Sequence, residues 1–214
     1  MIIQWYGQSC FKITSGETTI AIDPYDKKIG FTPPRFQANL TLITHKHDDH
    51  ANSASLTGEP FVISEPGEYE VKGVFVHGFE SYHDKNKGRD RGMNTMYKIG
   101  VEGIRLLHMG DFGEESLSED FMDAIGEVDI LMIPVGGKYT IDGNEAAKIV
   151  KQLEPKIVIP MHYKISGLEI DLDTAEQFLK NTGAGKREPS DKLTIKKKEI
   201  TESTKTEIII LQKV

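Results

Sequence analysis

Hydrophobic residues in the first half of the chain form short runs that are separated by glycine and small polar residues. These runs are rich in β-branched and aromatic side chains, which are typical of β-strands. They predict a meander of hairpins over residues 2–7, 10–16 and 18–24. The run at 38–45 is nearly continuous in apolar residues, which predicts a central strand buried on both faces. Apolar and polar residues alternate with period two at 69–78, which is typical of β-structure.

The pattern changes in the second half, where strands and helices alternate. A hairpin is predicted over residues 94–111, with its turn at 100–103. The elements after it are predicted as helices at 116–126, 142–155 and 171–183, and as buried strands at 128–137 and 156–163. The last two runs, 192–200 and 206–211, predict a closing hairpin. Two sheets packed together, with helices outside them, are therefore expected in a single domain over residues 1–214.

Composition and charge limit the classes of function. The chain has 214 residues, of which 38% are hydrophobic and 28% charged, and these values are ordinary for a soluble globular protein. Its formal net charge of −7 gives no general electrostatic footprint for nucleic acid or for an anionic membrane. The first residues show no secretory signal, and no window reaches the ~18 apolar residues of a membrane span. We therefore expect a cytoplasmic protein without a membrane partner.

Cys10 is the only cysteine of the sequence. A single cysteine excludes a disulfide framework within the chain and also excludes a cysteine-rich zinc site. Because Cys10 lies in an apparent strand, we expect a buried small hydrophobic side chain rather than a catalytic thiol.

Histidine and aspartate residues follow apolar strands at four places in the sequence. They are His45, His47, Asp49 and His50 after the first of these strands, and His83, Asp111 and His162 after the others. Imidazole and carboxylate groups together suit Zn²⁺, Mn²⁺ or Fe²⁺, and the absence of thiolates favours a site with an open water position. For an isolated His-x-His pair, a polar turn with solvated histidines would be the favoured interpretation. The repetition at four strand ends instead predicts a metal site.

The segment HKHDDH at residues 45–50 resembles the H-x-H-x-D-H signature of the metallo-β-lactamase superfamily. His83, Asp111 and His162 are similar in order and spacing to the remaining ligands of that family. The segments DPY at 23–25 and HMGD at 108–111, and the long segment at 129–163, look like the branch of metal-dependent hydrolases related to ascorbate-6-phosphate lactonase. The resemblance covers essentially the whole chain. It implies an α+β fold, a four-layer αββα sandwich with the site at one edge of the two sheets.

The resemblance also implies two divalent metal ions, with zinc favoured over manganese. The first ion would be held by His45, His47 and His83, the second by Asp49, His50 and His162, and Asp111 would bridge them. His47 stands where oxygen-reducing diiron relatives have a glutamate, which favours a hydrolytic site over redox iron. Two ions about 3.5–4 Å apart would share an acidified hydroxide, which is the nucleophile of such sites. Asp49 could orient that water or accept its proton, so we assign it a catalytic role.

Other residues near the predicted ligands have two interpretations each. Asp23 ends a strand on the side of the ligands, so it could support a metal-bound histidine, or it could form an ordinary Asp-Pro turn. His108 is expected to be a core or supporting histidine rather than a ligand. His77 is expected to be structural, and Asp84 to belong to a turn or to support His83.

Two loops could contact a substrate. The loop GGKYT at 136–140 follows a buried strand, and Lys138, Tyr139 and Thr140 could bind an anionic group or a developing oxyanion. Alternatively, this loop could serve only the entry into the next helix. The basic loop 84–94 begins beside His83, and its lysine and arginine side chains could recognise a phosphate or carboxylate. A solvated mobile loop is the alternative.

These observations predict a metal-dependent hydrolase, in which a metal-bound hydroxide attacks a small anionic lactone, ester or phosphodiester. A nuclease acting on RNA or DNA is an alternative, which the acidic balance and the absence of an inserted clamping domain disfavour. A non-enzymatic metal-binding protein is a further alternative, but structural zinc sites are usually closed and cysteine-rich. Glu114 stands near a place where relatives can have histidine, which leaves the substrate chemistry open. Relatives often assemble, so the resemblance also allows a homo-oligomer.

Overall fold

The computed structural model describes residues 1–203 and 205–214, and in these residues it contains two β-sheets and four α-helices. The strands are β1 (Ile2–Gly7), β2 (Cys10–Ser15), β3 (Thr18–Ile22), β4 (Leu40–Leu42), β5 (Phe61–Ile63), β6 (Gly67–Val71), β7 (Val74–Tyr82), β8 (Met93–Val101), β9 (Ile104–His108), β10 (Ile130–Pro134), β11 (Ile157–Met161), β12 (Leu193–Thr194) and β13 (Glu207–Ile208). The helices are α1 (Glu119–Ile125), α2 (Gly143–Leu153), α3 (Glu176–Asn181) and α4 (Lys197–Glu202).

Each sheet combines antiparallel and parallel strands. The first sheet has the order β12-β1-β2-β3-β4-β5, and its pairs are antiparallel from β12 to β3 and parallel from β3 to β5. The second sheet has the order β13-β11-β10-β9-β8-β7-β6, and its pairs are parallel from β13 to β9 and antiparallel beyond. Strands β10 and β11 are buried at every position, as parallel strands covered on both faces should be.

The two sheets pack face to face around one large hydrophobic cluster. Tyr97 in β8 crosses this interface, and its hydroxyl donates a hydrogen bond to the carbonyl of Ile43, 3.0 Å away. On the outer face of the second sheet, Phe121 of α1 lies 6.0 Å from the ring of Phe79 in β7. Over the first sheet the covering layer is thin, with Leu56 packed near Ala21. The expected sandwich of two sheets in an α+β fold is therefore confirmed.

Most of the predicted elements are present. The meander β1-β2-β3 and the hairpin β8-β9 form as expected, and β4 is an interior strand with all three residues buried. Helix α2 begins at a capping box, in which Asp142 accepts from the backbone of Glu145 at 2.9 Å. Cys10 is fully buried, and burial raises the pKa of its thiol well above the ordinary value.

The predicted closing hairpin is wrong. Only Leu193–Thr194 of the run 192–200 forms a strand, and the lysine-rich remainder forms α4. This helix begins where Glu199 accepts a 2.6 Å hydrogen bond from the backbone of Lys196, and it buries Ile200. Strand β12 pairs with β1 in the first sheet, whereas β13 pairs with β11 in the second. The C-terminal segment therefore contributes one strand to each sheet.

Four strand ends point to one edge of the sandwich. The segments after β4, β7, β9 and β11 contain the predicted ligands. The segment 45–50 begins three residues after β4, and His83, Asp111 and His162 follow within three residues of the ends of the other strands. Helices of the length and apolar character needed to span a bilayer are absent from residues 1–203 and 205–214.

Candidate metal centre

The loop after β4 is pinned to the neighbouring strand by Asp23. Its carboxylate accepts 2.8 Å hydrogen bonds from both the backbone amide and the hydroxyl of Thr44. The chain then turns, and the amide of His50 donates to the carbonyl of His47 at 3.0 Å. This turn places the side chains of the HKHDDH segment in front of the strand ends of both sheets.

The structure brings all seven predicted ligands together in two adjoining groups. Within each group, the potential ligand atoms lie within 4.8 Å of one another. The first group contains His45, His47 and His83, and the second contains Asp49, His50, Asp111 and His162. We call these seven residues the metal cluster.

Asp111 lies between the two groups. Its Oδ2 atom is 3.2 Å from Nε2 of His83 and 3.2 Å from Nε2 of His162. Its Oδ1 atom is 3.3 Å from Nε2 of His50, and its Oδ2 atom is 3.9 Å from Nε2 of His45. A single carboxylate therefore contacts imidazoles of both groups, which is the position that a bridging ligand needs.

The metal cluster contains buried histidine nitrogens without hydrogen-bond partners. They are Nε2 of His45 and of His50, and Nδ1 of His83 and of His162. A buried polar atom without a partner costs about 1–3 kcal/mol. Of these four atoms, Nε2 of His45 and Nε2 of His50 face Asp111, so these two indicate a missing ligand in the metal cluster. Because the donors are imidazoles and carboxylates without thiolates, the residues present fit zinc or manganese.

The charges within the metal cluster shift its pKa values. Burial opposes ionisation of Asp111, but the charges of His162 and His50 outweigh it and hold the pKa of Asp111 well below its ordinary value. Burial similarly opposes ionisation of Asp49, yet His50 keeps its pKa low. Burial and the neighbouring His50 lower the pKa of His45. Anionic carboxylates and a neutral His45 are the forms that a cation needs in its ligands.

Asp23 and His108 take different places beside the metal cluster. The Oδ2 atom of Asp23 lies 2.9 Å from Nδ1 of His50, which turns Nε2 of that histidine towards the other ligands. His108 lies outside both groups. Its Nε2 atom donates to the carbonyl of Ser9 at 2.9 Å, and its Nδ1 atom accepts from Gly110 at 3.1 Å. Burial lowers the pKa of His108, so it acts as a neutral core histidine.

Sequence reasoning missed Gln8 and Ser9, which form the turn between β1 and β2. The side-chain amide of Gln8 donates to Oδ2 of Asp49 at 2.9 Å. The backbone carbonyl of Gln8 accepts from the backbone amide of His162 at 3.0 Å. The hydroxyl of Ser9 donates to Oδ1 of Asp111 at 3.4 Å. The only sequence signal was a polar pair in a tight turn, and such pairs are ordinary in hairpins.

Two glycines allow backbone segments to approach the ligands closely. A Cβ atom on Gly136 would lie 2.2 Å from the carbonyl oxygen of His162, and one on Gly113 would lie 2.4 Å from the carbonyl carbon of His83. His162 itself has a φ of 50°, a left-handed conformation that is uncommon for a residue with a side chain. The ligand is therefore held in an unfavourable backbone conformation by its surroundings.

The metal cluster opens into a cleft of about 460 Å³. Exposed His47 and half-buried Asp49 form its floor together with His83, Asp111 and His162. We call this the first cleft. A second cleft of about 390 Å³ lies on the other side of His47.

Only part of the two candidate substrate loops lines the first cleft. From the GGKYT loop, Tyr139 lines the wall. Lys138 instead donates to Asp171 at 3.1 Å, and the hydroxyl of Thr140 donates to the carbonyl of Ile141. From the basic loop 84–94, Arg91 lines the wall.

Comparison with known proteins places the chain in a family. The Beta-lactamase superfamily domain matches residues 2–162, a segment that contains every residue of the metal cluster. A UPF0173 metal-dependent hydrolase of Thermococcus kodakarensis is 30% identical over 191 residues, which cover 75% of this chain and 84% of the relative. Another, from Natranaerobius thermophilus, is 28% identical over 235 residues and covers 99% of this chain and 96% of the relative.

A solved structure agrees with this assignment. A candidate Zn-dependent hydrolase of the metallo-β-lactamase superfamily from Thermotoga maritima superposes with a TM-score of 0.80 and 31% identity, covering 98% of this chain and 97% of that one. The chain belongs to the metallo-β-lactamase superfamily, so the predicted family and its fold are confirmed. The names of the relatives agree with the prediction of an enzyme.

Proposed function

We propose that this protein is a metal-dependent hydrolase that cleaves a small anionic lactone, ester or phosphodiester with two divalent ions, zinc or manganese. One observation supports this most directly. Two groups of mostly buried imidazoles and carboxylates, in which Nε2 of His45 and Nε2 of His50 lack hydrogen-bond partners, open into a cleft large enough for a small molecule. The metal-dependent hydrolases among the relatives add independent support.

The chain would divide the binding of the ions between its two groups. When bound, such ions acidify a water molecule and offset the negative charge that develops on the substrate. Asp111, in contact with both groups, would bridge the ions and hold their spacing. Asp23 and Gln8 would fix the orientation of two ligands, His50 and Asp49.

We assign the orientation of the attacking water to Asp49. Its carboxylate lies on the first cleft, and contacts from Gln8 at 2.9 Å and His50 at 3.3 Å to the same oxygen fix its plane. Because its pKa is low, Asp49 is a weak base. Its main contribution is therefore to orient the water, and it accepts the proton only transiently.

The walls of the first cleft argue against the nuclease alternative. Asp48, Glu169 and Asp171 line the cleft, and among its described lining residues Arg91 is the one lysine or arginine. A nucleic acid backbone needs several cationic contacts, and a wall of this composition offers few of them. The open cleft also argues against a purely structural metal site, because structural sites are closed to solvent.

Metal analysis of the full chain tests the proposal. We expect about two transition-metal ions per wild-type chain, a lower content in His47→Ala and Asp111→Asn, and an unchanged content in His77→Ala, since His77 lies outside the metal cluster. The loaded protein should then hydrolyse members of a panel of lactones, esters and phosphodiesters. Absence of bound metal, together with absence of hydrolysis after zinc or manganese is added, would overturn the proposal.

A further inference from the structure

Arg91 lies beside the metal cluster with its guanidinium stacked on an aromatic ring. Its central carbon is 4.3 Å from the ring centroid of Tyr139. Both side chains line the first cleft, together with His47 and His83. Stacking on a ring restricts the guanidinium to one plane and leaves its N–H groups directed outward in that plane. A cation held in this way is arranged to donate two parallel hydrogen bonds to a carboxylate or phosphate.

The backbone that holds Arg91 is organised around Asp84, the residue next to His83. The two carboxylate oxygens of Asp84 accept backbone hydrogen bonds of 2.8–3.0 Å from Asn86, Gly88, Asp90 and Arg91. The loop is closed at its other end, where the amide of His83 donates to the carbonyl of Gly92 at 3.1 Å. The position of Arg91 is therefore coupled to a metal-cluster residue, unlike that of a side chain in a solvated loop.

Arg91 differs from the other cations around the cleft in having no ion-pair partner within the described residues. Lys28 pairs with Asp48 at 2.7 Å, and Lys138 pairs with Asp171 at 3.1 Å. Each of these lysines offsets a carboxylate of the cleft wall. The exposed guanidinium of Arg91 remains available to a ligand.

We propose that Arg91, supported by Tyr139, binds a single carboxylate or phosphate group of the substrate beside the scissile bond. This proposal rests on the proposed hydrolase function and specifies its substrate class. Elsewhere on the wall Asp48 and Asp171 already occupy the nearby lysines, and Glu169 adds a further negative charge, so a second anionic group is disfavoured. The substrate therefore has one compact anionic group and an otherwise neutral body.

The second cleft indicates where the body of a larger substrate would extend. Arg91 and His47 line both clefts, so the two cavities meet at these residues. The second cleft also contains Met93, which is 41% exposed and offers an apolar contact. With its anionic group bound at Arg91, the substrate would place its scissile bond at the metal cluster, and the rest of its body would extend into the second cleft.

Matched substrates test the charge that Arg91 recognises. Esters or lactones that differ only in a carboxylate or a carboxamide are given to zinc-loaded wild type, Arg91→Gln and Arg89→Gln. Arg89 is the matched control, because it is in the same loop but does not line either cleft. We expect Arg91→Gln to lower kcat/KM about tenfold to hundredfold for the carboxylate, mainly through KM, and to leave the carboxamide unchanged. Equal effects of the two variants on both substrates would overturn the proposal.

A binding measurement separates this proposal from the hydrolase function. Calorimetry of the zinc-loaded chain compares butyrate with butyramide, which differ only in the single anionic group. If wild type prefers butyrate about tenfold or more and Arg91→Gln loses this preference while Arg89→Gln keeps it, anion binding by Arg91 is supported even if no substrate is hydrolysed. Equal affinities of wild type for the two probes, including no measurable binding, would contradict it.

Discussion

Gln8 is a buried amide that joins two ligand-bearing segments of the metal cluster. Its side-chain amide donates to Asp49, and its backbone carbonyl accepts from the backbone amide of His162 and from the indole N–H of Trp5. Its φ of 53° is left-handed, and its side chain is fully buried. A residue other than glycine keeps this strained left-handed conformation only where its contacts outweigh the strain.

Removal of this amide should weaken the site without unfolding the chain. In Gln8→Ala we expect zinc affinity or hydrolytic activity to fall about tenfold to hundredfold, because Asp49 loses the donor that fixes its plane. Competition for zinc with a chromogenic chelator measures this effect. Gln4→Ala, in the same hairpin but outside the metal cluster, is the matched control. Equal zinc affinity and activity in the two variants would contradict a positioning role.

The candidate ligands and one support, Asp23, could be predicted from the sequence, but the supports Gln8 and Asn94 could not. His45, Asp111 and His162 follow apolar runs directly, and strand periodicity alone places such side chains at a sheet edge. Gln8 and Asn94 reach the same place through hydrogen bonds to Asp49 and to the backbone of Asp111, contacts that depend on the packing of two sheets. Polar residues in turns are too common for their sequence to distinguish such cases.

At the level of elements, long patterned segments were predictable and short ones were not. The interior strands β10 and β11 are fully apolar, and α2 has both an amphipathic pattern and a capping box. The C-terminal residues contain strands of only two residues each, and these join different sheets. A two-residue strand has no periodicity, so only its partner strands determine its place.

Proteolysis can test whether Asp84 keeps the loop between β7 and β8 ordered. Asp84→Ala removes the acceptor of four backbone amides, so we expect trypsin to cut the loop at its lysines and arginines at least about tenfold faster than in wild type. Asp90→Ala is the matched control, because this carboxylate accepts from the side chain of Asn86 and from no backbone amide of the loop. Fragment masses would locate the cuts. Equal cleavage rates in the two variants would show that Asp84 does not organise the loop.

At the scale of the whole molecule, the metal cluster connects the two sheets at one edge. His45, His47, Asp49 and His50 follow a strand of the first sheet, whereas His83, Asp111 and His162 follow strands of the second. The sheets are otherwise joined by a hydrophobic cluster that includes side chains from both. That residues 1–214 form a single domain stays a prediction, and the shared core and the shared site support it.

Because the ligands come from both sheets, metal binding should stabilise the entire fold. A ligand that binds only the folded state at 1,000 times its Kd adds about 4 kcal/mol to the free energy of unfolding, which in a chain of this size raises Tm by about 8–16 °C. We therefore expect zinc to raise the Tm of the metal-free wild type by that amount in a thermal melt.

Variants on the two sides of the site make this test specific. His45→Ala on the first sheet and His162→Ala on the second should each lose most of the zinc-dependent rise in Tm. His77→Ala should keep it, since His77 lies outside the metal cluster, where it contacts Glu68 and Phe79. If only one of the two site variants lost the rise, the bound metal would stabilise one sheet rather than the contact between them. A rise of equal size in all three variants would mean that zinc binds outside the metal cluster. The ligands would then have been brought together for a reason other than metal binding, which the unpartnered Nε2 atoms of His45 and His50 argue against.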